Sequence, residues 1–340
     1  MIEGSHLSFR VDASPAIGAG HFMRCLALAE EWRARGGQAT FIGRWPAPLA
    51  RHLEERGIRT VLLDAIHPDP SDLVQTLETV PAAGNMVLDG YRFDAAYQGR
   101  LRHGVRRLLV IDDAGHLPAY DADILLNQNL HADRVAYQRA PAQRLLGPRY
   151  VLLRREFLRW DVPRRPVPPR ARHLLVTLGG GDQANHTLRI AEALLAPAFR
   201  DTQIRVVIGP ANPHAAVLER FTTDRESRFQ VIEAGADMPA LMAWADLAIS
   251  AAGTTSLEFA FMGLPCVLVA VADNQEPIGR EMESRGAAVH LGMAGELSWG
   301  HLVRAAGDLI RDPERRLRMS ENGRRLVDGG GVRRVIEALG

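Results

Sequence analysis

The residues best able to do chemistry stand in one run near the start, Arg10-Val11-Asp12-Ala13-Ser14-Pro15-Ala16-Ile17-Gly18-Ala19-Gly20-His21. An apolar strand precedes this run and a helical pattern follows it. That is the carboxyl end of a strand, where open α/β sheets bind their ligands. Glycine lets backbone approach a ligand closely, and a helix N-terminus offers free N–H groups to an anion. His21 falls in the first turn of the helix, where a positive helix end favours the neutral imidazole that a general base needs. The plain alternatives are a tight strand–helix turn and a histidine that merely caps it. A dinucleotide fingerprint is excluded, because its third glycine position is held by Met23.

Three further loops have the same setting. In Gly179-Gly180-Gly181-Asp182-Gln183-Ala184-Asn185, the glycines allow close backbone approach, and Asp182 reads as the N-cap of a helix beginning near Ala184. In Ile249-Ser250-Ala251-Ala252-Gly253-Thr254-Thr255-Ser256-Leu257-Glu258, a strand runs through small residues into a helix. Thr254 and Thr255 bring hydroxyls and amides to that helix start, a cradle for a diphosphate that needs no metal. Glu258, one turn on, can accept both hydroxyls of a ribose, or can close a capping box with Thr255. Asp273-Asn274-Gln275 supplies amides that donate and accept, suited to sugar hydroxyls and acetamido groups, or simply a loop with a cap. Asp112, Asp113 and His116 cluster after a strand, but turns and caps favour aspartate there, and no metal is assigned.

Composition narrows the chemistry. All 41 basic residues are arginine and none is lysine, which excludes a P-loop lysine, a Schiff base and a pyridoxal-phosphate lysine. A phosphate must then be held by backbone amides, helix ends or arginine. The formal net charge of +1 argues against a nucleic-acid partner. Cys25 and Cys266 lie in separate apolar runs and read as reduced core thiols of a cytoplasmic protein. No secretory signal and no run long enough to span a membrane is evident. No cofactor is called for, and the chain is expected to be a monomer.

The elements that must position these loops follow from periodicity. Strands are expected at Leu7–Val11, Ala39–Ile42, Thr60–Leu63, Met86–Leu88, Leu108–Ile111 and Ile124–Leu126. Phe22, Cys25, Leu26, Leu28, Ala29 and Trp32 recur at helical spacing, and Gly36-Gly37 stops that helix. Residues Trp160 to Arg170 contain four prolines and read as a stiff linker. Strands then resume at Leu174–Leu178, Ile204–Ile208, Phe229–Ile232, Leu247–Ser250 and Cys266–Val271, and from about Trp299 the chain reads as helix. With 340 residues, two α/β halves are expected. They are 1–158 with His21, a linker at 159–172, and 173–340, whose last helix is able to pack back on the first half.

The combined motifs carry a resemblance. Arg10–Arg24 with its IGAGHFMRC core, Leu88-Asp89-Gly90-Tyr91, Ile111-Asp112-Asp113, Leu125-Leu126-Asn127-Gln128-Asn129, the Gly-Gly-Gly-Asp182 and Asn185 cluster, and Asn274-Gln275 resemble the PseG-type UDP-2,4-diacetamido-2,4,6-trideoxy-β-L-altropyranose hydrolases of pseudaminic acid biosynthesis. The likeness runs from about Leu7 to about Gly292. More widely the chain resembles the MurG type, and Gly235-Ala236-Asp237-Met238 looks like its nucleotide loop. The resemblance implies the GT-B fold, two Rossmann-like α/β domains facing each other across a cleft. It implies that His21 is the base that activates water and that UDP leaves with inversion. It implies substrate contacts from Ala19, Gly20, Gly180, Gly181, Glu258, Asn274 and Gln275, and Tyr91 matches a family position in the sugar region; Asp12, Asn185, Met238, Thr254 and Thr255 join them as candidate contacts from their own loops. A Gly-Gly-Gly-Asp run departs from relatives that carry Ser or Thr in its third place. A MurG-like UDP-sugar transferase, a UDP-sugar 2-epimerase and a non-catalytic sugar-nucleotide binder remain the competing readings.

Overall fold

The structure is a computed structural model of the chain. It describes all residues except 1, 15–16, 82, 161–164, 166, 180–181, 210–211, 224, 226 and 233–236. The chain divides into two compact units, Met1–Arg155 with Gly329–Gly340, and Glu156–Asp328.

The first unit is built on strands β1 (His6–Val11), β2 (Gln38–Gly43), β3 (Arg59–Leu62), β4 (Asn85–Asp89), β5 (Arg107–Ile111), β6 (Ile124–Asn127) and β7 (Gln143–Leu146). Their order is β3-β2-β1-β4-β5-β6-β7. Neighbours run parallel throughout. Parallel strands covered on both faces must be apolar almost end to end, and β4 is buried at every position. The helix Gly20–Ala34 buries Phe22, Cys25, Leu26, Leu28, Ala29 and Trp32, the residues its spacing singled out. It ends where Gly36 turns to φ +85°, and Gly37 must lack a side chain because a Cβ there would lie 2.3 Å from Trp32 Nε1. The final helix, Gly331–Leu339, puts Val332, Val335, Ile336 and Leu339 into the same core as Phe22 and Leu26. Full burial of side chains of that size stabilises by about 1.5–3 kcal/mol each.

The second unit uses β8 (His173–Thr177), β9 (Gln203–Val207), β10 (Phe229–Ile232), β11 (Leu247–Ala251), β12 (Cys266–Ala270) and β13 (Ala288–Met293), ordered β10-β9-β8-β11-β12-β13 and again parallel. β7 and β13 were not expected. Both are edge strands, β7 with two exposed positions and β13 mostly half-buried, so neither shows a continuous apolar run. Of the Pro-rich 159–172 segment, residues 161–164 and 166 lie outside the described residues.

In each unit the order reverses between the first and fourth strands, β1 beside β4 and β8 beside β11. The strand ends at such a reversal flank an open crevice, the usual ligand position in doubly wound sheets. No helix among the described residues is long and apolar enough to cross a membrane.

Candidate active site

In the first unit, β1 and β4 pair so that Val11 faces Asp89. The chain leaves β1, closes a short loop in which Ser14 Oγ accepts the Ile17 N–H at 3.2 Å, and enters the helix at Gly20. Ala19 is the N-cap and provides no side-chain cap, so His21 in the first turn is held by other groups. Its Nδ1 lies 2.7 Å from Asp89 Oδ1, and Asp89 is wholly buried. Arg24 stands three residues further along the same helix face. Its Nε and Nη2 donate to the two Asp89 oxygens at 2.6 Å each, and its Nη1 donates to both oxygens of Asp113 at 2.9 Å. Asn129 Nδ2 and the Tyr91 hydroxyl also donate to Asp113, at 2.7 and 2.9 Å.

These contacts assign the His21 tautomer. Nδ1 has Asp89 at 2.7 Å and Arg24 Nη2 at 3.0 Å, and a neutral ring can satisfy only one. Nη2 already donates to Asp89 Oδ1 at the shorter 2.6 Å, so the ring proton belongs on Nδ1, directed at the carboxylate. Nε2 then keeps its lone pair, which makes it the basic atom. Burial opposes charge on Asp89, but the Arg24 guanidinium and then His21 outweigh it and hold this carboxyl well below the usual carboxylate range. The same opposition, again won by Arg24, lowers Asp113. Tyr91 meets His21 edge-on, ring centres 5.1 Å apart, and meets His116 edge-on at 5.5 Å. The hydrogen bond that His116 donates to Asp112 raises the His116 pKa, with Nδ1 2.5 Å from Asp112 Oδ2.

Asp12 lies outside this set. Its Oδ1 accepts the Arg44 N–H at 2.8 Å and pairs with Arg10 Nη1 at 2.8 Å, which fixes the β1 end to the loop after β2. The Asp112, Asp113 and His116 cluster is committed to protein partners. Asp113 faces Arg24, while Asp112 accepts from Ala114 N, Gly115 N and the Tyr120 hydroxyl. Among the described residues no group of three or more His, Cys, Asp or Glu could hold a metal ion.

In the second unit the loops after β8 and β11 flank the reversal. Gly179 has φ +85°, whereas Gly180 and Gly181 lie outside the described residues. The helix expected near Ala184 starts at His186 instead, with Asn185 as its N-cap. Asp182 and Asn185 both take left-handed backbone (φ 50° and 53°), which delays the first turn. Asp182 still caps it, accepting the His186 and Thr187 N–H groups at 2.8 Å each. After β11, Thr254 is the N-cap and Thr255 the first residue of the helix Thr255–Met262. The capping box therefore loses its cap at Thr255, and Glu258 is half-buried one turn in. Asn274 and Gln275 follow β12 in a short 3-10 turn, where Gln275 Oε1 accepts the Val271 N–H at 3.0 Å. Gln275 Nε2 lies against Gly253, 3.7 Å from where a Cβ would stand, so Gln275 and the Thr254 helix start are adjacent. Met238 opens the helix Met238–Trp244, capped by Asp237; residues 233–236, with the Gly235-Ala236 part of the expected nucleotide loop, lie outside the described residues.

Sequence reasoning missed Arg24, Asp113 and Asn129 as parts of the site and gave Asp89 no role beside His21. The signal was present. Asp89, Asp112-Asp113 and Asn127-Gln128-Asn129 each end or follow an apolar strand, and β4, β5 and β6 are consecutive in the sheet.

Comparison with known proteins fits this architecture. Over its whole length the chain has the GT-B fold: the crystal structure of Acinetobacter baumannii MurG superposes with a TM-score of 0.63 at 14% identity, covering 98% of this chain and 99% of that one. Within that fold, residues 173–327 match the Glycosyltransferase family 28 C-terminal domain. The spore coat polysaccharide biosynthesis protein SpsG of Bacillus subtilis (strain 168) is 30% identical over 196 residues. That match spans 57% of this chain and 57% of SpsG, little more than half the relative's length. A UDP-N-acetylglucosamine--N-acetylmuramyl-(pentapeptide) pyrophosphoryl-undecaprenol N-acetylglucosamine transferase of Acidithiobacillus ferrooxidans (strain ATCC 53993 / BNL-5-31) is 27% identical over 354 residues, 94% of each chain. These likenesses back the transferase reading better than the hydrolase one.

Proposed function

We propose that this chain is a glycosyltransferase-type enzyme acting on a UDP-sugar. Its second unit holds UDP, and His21 takes the proton from the hydroxyl that displaces UDP at the anomeric carbon. The observation that carries this reading is the His21–Asp89 contact of 2.7 Å, which leaves Nε2 basic. It occurs in a chain whose residues 173–327 match a glycosyltransferase domain. The Acidithiobacillus relative, named for a UDP-N-acetylglucosamine donor, supports a UDP-sugar as substrate. Displacement in one step inverts the anomeric centre. The helix start at Thr254 and Thr255 opposes the charge growing on the diphosphate, while Glu258 takes the ribose hydroxyls and Asn274 and Gln275 the sugar. In this reading Asn185 and Met238 line the nucleotide side, and Ala19, Gly20 and Tyr91 the sugar side, while Gly180 and Gly181 lie outside the described residues.

A second reading makes water the nucleophile, giving a hydrolase of a UDP-linked diacetamido-trideoxy sugar in pseudaminic acid biosynthesis. One observation favours it. The stretches that carry the resemblance to those hydrolases, around Arg24, Asp89, Tyr91, Asp113 and Asn129, are the ones that surround His21. Incubation with a panel of UDP-N-acetylhexosamines, with and without hydroxyl acceptors, followed by NMR, separates the two. UDP released only with an acceptor supports transfer, and UDP with free sugar in water alone supports hydrolysis. An intact but altered UDP-sugar means epimerisation, and no turnover with any pair leaves a binding protein; either overturns both readings.

A further inference from the structure

The buried charges behind His21 do not cancel. Asp89 and Asp113 each face the single guanidinium of Arg24, which lies between them. With a neutral imidazole the cluster therefore carries one negative charge in excess. We propose that Arg24 and Asp113 are positioning residues that, together with Asp89, set the charge around His21, leaving the cluster one positive charge short so that a proton arriving at His21 Nε2 completes it. The proposal deepens the reading of His21 as base and rests on it.

Burial makes the excess matter. Side-chain exposure is 0% for Asp89, 4% for Arg24, 12% for His21 and 14% for Asp113. An uncompensated charge held away from water is costly, and taking up one proton removes that cost. Both carboxyls lie below the usual carboxylate range, so both are ionised at neutral pH. Of the other groups close to Asp113, the Asn129 amide and the Tyr91 hydroxyl fix its position without cancelling its charge, and His116, whose pKa Asp113 helps to raise, is paired with Asp112. The titratable and charged groups facing His21 are Asp89 from the end of β4, Arg24 from its own helix, Asp113 from the loop after β5 and Tyr91 from the loop after β4, with His116 behind Tyr91. Asp112 is matched separately by His116 and backbone donors, and Asp12 by Arg92 and by Arg10, which it shares with Asp72. In the reaction, the O–H bond of the nucleophile breaks and its proton moves to Nε2. The oxygen electron pair forms the new bond to the anomeric carbon, and UDP departs with the pair of the bond it leaves.

The test is an imidazole NMR titration of the free protein, with the His21 signals assigned by their loss in His21→Asn. Asp113→Asn removes one negative charge and is expected to move the His21 midpoint down by roughly 1 pH unit. Arg24→Gln removes the positive charge and is expected to move it up by a similar amount, while Arg24→Lys returns it toward wild type. A merely structural role predicts no opposition between the variants. Midpoints that stay put, or move the same way in both, overturn the proposal. If Arg24→Gln does not fold, Asp113→Asn compared with the charge-keeping Asp113→Glu decides it: a shift in the first alone supports the proposal, and equal behaviour overturns it. The titration needs no substrate, so failure to cleave a UDP-sugar would count against the function and not against this result.

Discussion

Val11 at the end of β1 pairs in register with Asp89 at the end of β4. This pairing brings a histidine from the helix after β1 to a buried carboxylate 68 positions later in the chain. It also sets the consequences that can be measured.

As a general base His21 acts in the transition state and not in ground-state binding. His21→Ala or His21→Asn is expected to lower kcat by about 10²–10⁴-fold. UDP affinity by calorimetry stays near wild type. The wild-type pH–rate profile rises as the imidazole loses its proton, and the variant loses that limb. A near-normal kcat would return His21 to the role of a structural cap.

Asp89 links the site to stability. Its folded pKa lies below the unfolded value of about 3.9. The stabilisation it gives is therefore present above about pH 4 and lost as pH falls further, through the folded pKa. Asp89→Asn leaves Arg24 paired with Asp113 alone and weakens its two hydrogen bonds to position 89, and is expected to cost about 1.5–3 kcal/mol at pH 7. Urea denaturation at a series of pH values checks both points: the variant starts lower and loses less on acidification. Equal slopes for the two proteins would refute the link.

Glu258 tests the nucleotide site. Removing a charged acceptor of ribose hydrogen bonds should weaken UDP by about 1.5–3 kcal/mol in Glu258→Ala. Calorimetry on the folded variant reads this directly, and unchanged affinity moves the ribose elsewhere.

Metal dependence tests the cradle. Arg24 occupies the space between Asp89 and Asp113, and the proposed diphosphate cradle is the helix start at Thr254, which among the described residues holds no carboxylate pair for a cation. Turnover is expected to be unaffected by EDTA, and a strict need for Mg²⁺ or Mn²⁺ would overturn this account.

The last helix tests the first unit. A Cβ at Gly331 would lie 2.2 Å from the Val151 carbonyl oxygen, a backbone atom that cannot swing away. Gly331→Ala is expected to destabilise by about 1–3 kcal/mol. A thermal melt with no loss would mean that the Gly331–Leu339 helix docks more loosely than its buried face implies.

The sequence by itself determined what is local. Apolar runs marked the inner strands, and the 3.6-residue period marked the buried face of Gly20–Ala34. The glycines at 18 and 20 put His21 at a helix start, and Asp182 was legible as a cap. Edge strands β7 and β13 were not legible, because Gln143 and Arg144 in one and His290 and Gly292 in the other interrupt the apolar run that signals a strand, whereas the edge strands β3 and β10 keep enough of it. Strand order was not legible either. Which strand lies beside β1 depends on how successive crossovers pack, and no short stretch of sequence records it. Only that order makes Asp89 a partner of His21 and lets Arg24 join Asp89 to Asp113, 89 positions from Arg24 in the chain. The sequence allowed the final helix to pack back on the first half, and tertiary structure decided which residues receive it, since an amphipathic helix shows which face it buries but not against what.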